Sequence, residues 1–305
     1  MKPKVIFLVG PTACGKSEIA IELASKINAE IISCDSMQVY KGMEILSAVV
    51  SFGLRRKVKH HLISYINPQS QYNVAKFRKQ ALKKIKEILK KGKIPLFVGG
   101  SGLYYKALLD GIFMEEKPDK RLRDRLYKEA ERYGTHSLYE RLKSIDPQSS
   151  LKIHPHDLKR IVRALEVYEK TGIPISEWQK KAKGIFDEYE VKIFGILRPK
   201  EIILKRIKKR TEKMFKKGLV KEVKRLLKLK LSRTAKEAIG IKEILGYLEG
   251  EYSLTQAKNL IIKNTLKLVK KQLTWFKKDK RIQWIYIDKD NNYKKIAQII
   301  LEKIN

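Results

Sequence analysis

The 305-residue chain is 43% hydrophobic and 33% charged, which supplies a substantial core for one or two domains, and no apolar stretch approaches the ~20 residues of a membrane span. Two cysteines, Cys14 and Cys34, exclude a disulfide framework and a cysteine-built zinc site; with no signal peptide ahead of the first strand, a reducing cytoplasm is the expected setting. The 68 basic residues against 33 acidic ones give a net charge of +35, which points to a polyanionic partner, nucleic acid above all, with a lysine-rich genome as the other explanation.

The excess charge is uneven: residues 113–190 are nearly balanced, and residues 191–305 carry most of it. The N-terminal part alternates apolar runs with amphipathic stretches, a βα pattern that predicts a parallel sheet. The first run, Val5–Val9, leads into Gly10-Pro11-Thr12-Ala13-Cys14-Gly15-Lys16-Ser17, a Walker A pattern followed by a helix. Glycines there let backbone N–H groups wrap a phosphate, Lys16 adds a point charge, Ser17 a hydroxyl for Mg²⁺, and the helix its dipole. The pattern identifies a phosphate or diphosphate grip without naming the ligand.

Further strands are predicted at Glu30–Ser33, His61–Tyr65 and Ile94–Val98, and a helix from Val74 to Lys91. The second strand runs into Asp35, on the sheet edge where α/β ligands bind. Asp35 could bind Mg²⁺, act as a general base or cap a turn. The strand ending at Val98 is followed by Gly99-Gly100-Ser101-Gly102, where a nucleotide triphosphatase would carry a Walker B aspartate. That sequence suits either close backbone approach to a ligand with a Ser101 contact or a tight turn. Near Phe113 the pattern changes. Residues 115–119 look like a linker, and about 119–185 show helical periodicity with no strand, an inserted all-helical domain. A strand returns at Val191–Leu197. Basic helices follow at Lys200–Lys217, Val220–Lys230, Ala235–Leu248 and Leu254–Lys278, then a strand at Ile282–Ile287 and a helix at Tyr293–Ile304. His154 and His156 lack a third metal ligand nearby, and Trp178, Trp275 and Trp284 are expected in the core or at an interface.

The loop at 10–17, the segment Asp35-Ser36-Met37-Gln38-Val39-Tyr40 and the segment Gly99-Gly100-Ser101-Gly102-Leu103-Tyr104 together resemble the tRNA dimethylallyltransferase (tRNA isopentenyltransferase) family, which has GPTASGKS-, DSxQVY- and GGTGLY-like segments in this order. His60-His61-Leu62, Arg160–Tyr168 with Thr171-Gly172, and Lys271–Phe276 extend the resemblance over nearly the whole chain. It implies a nucleotide-kinase-like P-loop α/β core (1–113 and 190–305) holding a helical insertion (114–189) that grips a tRNA anticodon loop. It also implies transfer of a dimethylallyl group from dimethylallyl diphosphate to N6 of the adenosine 3′ of the anticodon, with Mg²⁺ as cofactor near Ser17.

By the family pattern, residues 10–17 hold the diphosphate. Thr12, Lys16 and an arginine of the 206–214 helix, Arg210 ahead of Arg206, stabilise the leaving group, and Asp35 is the general base. The same match makes Asp35, Ser36, Met37, Gln38, Ser101, Arg123, Lys159, Arg160, Ile161, Val162 and Arg163 tRNA-contact candidates. The chain departs from the pattern at Ser47-Ala48-Val49-Val50, where the family has TAKP and so a lysine, and at Ser101, which replaces threonine. A small-metabolite P-loop kinase and an adenylate isopentenyltransferase are the competing enzymes. A non-catalytic RNA-binding protein would need neither the intact loop nor Asp35. No feature requires an obligate protein partner.

Overall fold

The computed structural model describes residues 2–112, 119–288 and 292–304. Phe113 and the predicted linker residues 115–118 lie outside them. The chain divides into an α/β unit, Met1–Leu109 with Ile185–Asn305, and a helical unit, Asp110–Gly184.

In the α/β unit the order is β1 (Lys4–Val9), α1 (Lys16–Lys26), β2 (Ala29–Cys34), the one-turn α2 (Phe52–Arg55), β3 (His60–His61), α3 (Val74–Leu89), β4 (Ile94–Gly99) and α4 (Gly102–Leu109). The helical unit contributes α5 (Lys120–Tyr133), α6 (Thr135–Ile145), α7 (Pro147–Ser150), α8 (Leu158–Thr171) and α9 (Ile175–Lys180). The chain then returns through β5 (Glu190–Leu197), α10 (Lys200–Lys216), α11 (Leu219–Leu227), α12 (Arg233–Lys236), α13 (Ile241–Leu248), α14 (Leu254–Phe276), β6 (Gln283–Tyr286) and α15 (Tyr293–Ile304).

Among the described residues six strands form one parallel sheet in the order β3-β2-β4-β1-β5-β6. Alternation along β1 explains why helices cover both faces. Val5, Phe7 and Val9 point into one core with α3 residues Phe77, Ala81 and Ile85. Ile6 and Leu8 point into the other, with Ile19 and Leu23 of α1 and Ile296 and Ile300 of α15. Register aligns the strand ends: Gly99 of β4 pairs with Val9 on one side and Cys34 on the other. The loops that leave β1, β2 and β4 therefore emerge side by side.

Three expectations change. β3 stops at His61 instead of running to Tyr65, because Leu62 (φ 58°) and Ser64 (φ 46°) turn through the left-handed region. The chain then runs beside the loop after β2, with Ser64 N–H donating to Gln38 O and Tyr65 N–H to Val39 O. The helix expected at Ala235–Leu248 is two, separated by Gly240 at φ 112°. The helical unit ends at Gly184, before the expected 189: Ile185 and Tyr189 are buried in the α/β core, and Ile185 N–H donates to Leu108 O.

The helical unit has its own core of Leu126, Ala130, Leu138, Leu142, Ile161, Val162, Ala164 and Leu165. At its edge Glu166 is fully buried and accepts four hydrogen bonds: two from Arg123, one from Arg163 and one from Asp119 N–H. Burial pushes the Glu166 carboxyl up, but the two arginines and the amide outweigh it and hold it below the usual carboxylate range.

Candidate active site

The P-loop, the Asp35 loop and the end of β4 line one cavity of about 850 Å³, with Thr12, Lys16, Ser17, Asp35, Gln38, Gly100, Arg206, Arg210, Gln272 and Tyr293 in its wall. Gly10 starts the loop at φ 144°, and a Cβ there would come within 2.7 Å of Ile196 O, so β5 packs where a side chain would stand. Ala13 takes φ 64°, a strained conformation for a residue with a Cβ. Its carbonyl accepts a 2.7 Å hydrogen bond from Arg206 Nε. The Lys16 ammonium donates to Pro11 O at 2.5 Å, folded over the loop it serves.

Two arginines of α10 reach the loop differently. Arg206 also donates from Nη2 to the Tyr293 hydroxyl (3.2 Å). Arg210 donates to the Thr12 hydroxyl at 3.3 Å and to Ser47 O at 3.5 Å, longer and weaker contacts. Burial lowers the Arg210 guanidinium from its ordinary value, and the Asp35 charge acts against that shift. Lys209 and Lys213 of the same helix, and Lys217 just past its end, line the cavity as well.

Asp35 Oδ1 accepts from Met37 N–H (2.8 Å) and Gln38 N–H (3.3 Å), which fixes the carboxylate at the carboxyl end of β2. Among the described residues no hydrogen bond reaches Oδ2, so this oxygen has lone pairs for a substrate proton. The Ser101 hydroxyl accepts from Ser36 N–H at 3.1 Å, and Ser101 N–H donates to Cys34 O, joining the two loops. The Gln38 amide accepts from the Ser33 hydroxyl.

Three contributors escaped sequence reading. Gln272 of α14 accepts from Thr12 N–H (2.8 Å) and donates to Gly100 O (3.0 Å), tying the P-loop to the end of β4. Arg198, just past β5, donates from Nε to Cys14 O at 2.8 Å and is buried. Tyr293 meets Arg206. Arg198 sits at the carboxyl end of a strand, the same positional rule that singled out Asp35, so that signal was present. Gln272 lay inside a matched segment with no chemistry of its own to mark it.

Among the described residues no group of three or more His, Cys, Asp and Glu side chains could hold a metal. The Ser17 hydroxyl on the cavity wall suits a hard cation that arrives with phosphate oxygens and needs few protein ligands, the habit of Mg²⁺.

The tRNA-contact candidates in the helical unit divide by exposure. Lys159 and Arg160 are exposed, Arg160 pairing with Asp157 at 3.2 Å. Arg123 and Arg163 are held on Glu166 and keep about a third of their side chains exposed (31% and 29%). Ile161 and Val162 are a correction: their side chains close the core of the unit and offer no surface to a partner.

The family model described as IPP transferase matches residues 38–279, and one described as isopentenyl transferase matches residues 3–52. The tRNA dimethylallyltransferase of Carboxydothermus hydrogenoformans is 45% identical, over 99% of this chain and 98% of its own length. The full-length tRNA isopentenylpyrophosphate transferase of Bacillus halodurans, known from its crystal structure, aligns with TM-score 0.73 at 32% identity, covering 99% of this chain and 97% of that one. A eukaryotic dimethylallyltransferase, captured in crystallographic snapshots acting on tRNA, aligns with TM-score 0.83 at 27% identity over 99% of this chain and 79% of its own. With its phosphate loop, its carboxylate and these relatives along the whole sequence, the chain belongs to the IPP transferase family, that of the tRNA dimethylallyltransferases.

Proposed function

We propose that this protein prenylates tRNA, transferring the dimethylallyl group of dimethylallyl diphosphate to N6 of the adenosine 3′ of the anticodon and releasing diphosphate, in the cytoplasm. The observation that carries the reading is a phosphate loop and the Asp35 carboxylate in the wall of one cavity. A kinase reading lacks its Walker B carboxylate, since β4 runs into Gly100-Ser101. An adenylate prenyltransferase has no use for the helical unit or for a +35 charge.

In the reaction the N6–C1 bond forms as the allylic C1–O bond breaks. The electron pair of that bond leaves on the diphosphate, and the N6 proton passes to Asp35, whose Oδ2 accepts no hydrogen bond from the described residues. Backbone N–H groups of residues 13–17, Lys16, the Thr12 hydroxyl and Arg210 face the charge that grows on the diphosphate. Mg²⁺ held by the Ser17 hydroxyl and the diphosphate oxygens would neutralise part of that charge. The target base must leave its stack to reach a site at the sheet edge. Ser36, Met37, Gln38 and Ser101 are its expected neighbours, and Lys159, Arg160, Arg123 and Arg163 the expected contacts for the anticodon loop.

The test incubates wild type and Asp35→Asn with Mg²⁺, dimethylallyl diphosphate and unmodified tRNA, and reads N6-isopentenyladenosine by mass spectrometry after digestion. Wild type is expected to form it on tRNA and not on AMP. Asp35→Asn should be about 10²–10⁴-fold slower, with tRNA affinity within about tenfold. ATP consumption without prenylation would replace this reading with a kinase.

A further inference from the structure

The chain departs from the family pattern at Ser47-Ala48-Val49-Val50, and the residues that follow line a second cavity. It is an open cleft of about 280 Å³ lined by Phe52, Arg55, Arg56, Lys59, His60 and Ile63. Phe52, Arg55, His60 and Ile63 also line the reaction cavity, so the two spaces share a wall. Phe52 is 69% exposed, an unusual position for a phenylalanine. The guanidinium carbons of Arg55 and Arg56 lie 6.0 Å and 5.8 Å from its ring centroid. Arg55 Nε is buried and has no hydrogen-bond partner among the described residues, so nothing there offsets its desolvation. His60 Nδ1 donates to Val58 O at 2.7 Å, which leaves Nε2 as an acceptor when the ring is neutral. Among the described residues no acidic side chain lines this cavity.

An exposed aromatic ring with two guanidiniums beside it, an unmet N–H donor and a ring-nitrogen acceptor together match a nucleotide. The base stacks on the aromatic ring, and the phosphate meets the guanidiniums. An acidic peptide would satisfy the arginines but leave the Phe52 face without a planar partner. The shared wall limits which nucleotide it can be: one joined by a single phosphodiester to the adenosine that enters the reaction cavity.

We infer that Phe52, Arg55 and Arg56 form a nucleotide subsite for the residue flanking the target adenosine, Phe52 stacking on its base and the arginines binding its phosphate. This rests on the tRNA reading above.

The experiment measures prenylation kinetics of the full-length protein on an anticodon stem-loop RNA, alone and with an abasic nucleotide 5′ or 3′ of the target. Phe52→Ala should raise KM for the stem-loop about tenfold and leave KM for dimethylallyl diphosphate unchanged. One of the two abasic RNAs should cost wild type the same factor and cost Phe52→Ala nothing more. The double variant R55Q/R56Q should reduce the slope of log affinity against log salt by about 0.7, one single-strand phosphate. Stem-loop KM unchanged in both variants overturns the inference, as do abasic penalties that add in full to Phe52→Ala. A rise in donor KM makes the pocket part of the diphosphate site. Inhibition by free AMP that Phe52→Ala abolishes, without the abasic effect, makes it a mononucleotide site. If wild type prenylates no RNA, the functional reading fails first, and this assay separates the two.

Discussion

Arg206 and Arg210 are separated by one helical turn, and the sequence offers no means of ranking them. Hydrogen bonding does. Arg206 Nε is committed to Ala13 O at 2.7 Å and Nη2 to Tyr293 at 3.2 Å, so it holds the strained loop in shape. Among the described residues Arg210 makes the 3.3 and 3.5 Å contacts to Thr12 and Ser47, and its partly buried place in the cavity wall would strengthen its field at the leaving group proposed above. Arg210→Gln is therefore expected to lower kcat about 10²–10³-fold at saturating tRNA and donor, as loss of a transition-state contact does. Arg206→Gln should chiefly raise KM for dimethylallyl diphosphate, by about tenfold. Steady-state kinetics with the donor varied separates these outcomes, and a reversed pattern would exchange the two assignments.

At the scale of elements, β3 adds an ionisable cluster to one edge of the sheet. His61 Nε2 lies 2.7 Å from the carboxylate of Glu30, which also receives Lys93 at 3.3 Å and Lys91 at 3.5 Å. Burial lowers the pKa of His61, and the Glu30 contact, which acts the other way, does not reverse it; burial likewise lowers His60. Both rings are thus neutral in the fold at pH 7, and the contact to Glu30 is a hydrogen bond to a carboxylate more than an ion pair. Because the folded values lie below the unfolded one near 6.5, stability is complete above that pH. It falls as pH drops through 6.5, at most about 1.4 kcal/mol per pH unit for each histidine, until the folded rings protonate. Glu30, held below the usual carboxylate range, does not titrate in this window. The urea midpoint should drop between pH 7.5 and 5.5, and His61→Gln should flatten part of the drop; an unmoved midpoint in wild type would contradict buried neutral rings. These elements also show what the sequence could express. Strands β1, β2, β4 and β5 and the loops after the first three were legible because apolar runs and glycine motifs are local signals. The early end of β3 rests on left-handed Leu62 and Ser64, and the break between α12 and α13 on one glycine, neither of which disturbs a hydrophobic pattern. Gln272 was illegible as a site residue because it meets the P-loop from 260 positions away with no chemistry of its own to mark it, whereas Arg198, 184 positions away, was marked only by its place at the carboxyl end of β5.

Across the whole chain, charge and chemistry are divided. The helical segment is nearly neutral, and its arginines at 123, 125, 141 and 163 are paired with Glu166 and Glu169 within the unit, an arrangement that favours shape over bulk attraction. The excess of the +35 charge lies in the C-terminal third, where lysines of α10 line the reaction cavity and much of α14 is polar and basic. Attraction of the RNA backbone by such a surface is a counterion-release effect, and so it is steep in salt, whereas the proposed proton transfer to Asp35 and departure of the diphosphate, inside the cavity, would be screened little. Raising monovalent salt from 50 to 200 mM is therefore expected to weaken tRNA affinity by at least 10²-fold, with kcat at saturating tRNA changing less than about twofold. Filter binding and single-turnover prenylation across the same salt series measure the two. If kcat falls in step with affinity, the lysines at the cavity wall act in the chemical step itself, and the division between RNA capture and catalysis is wrong.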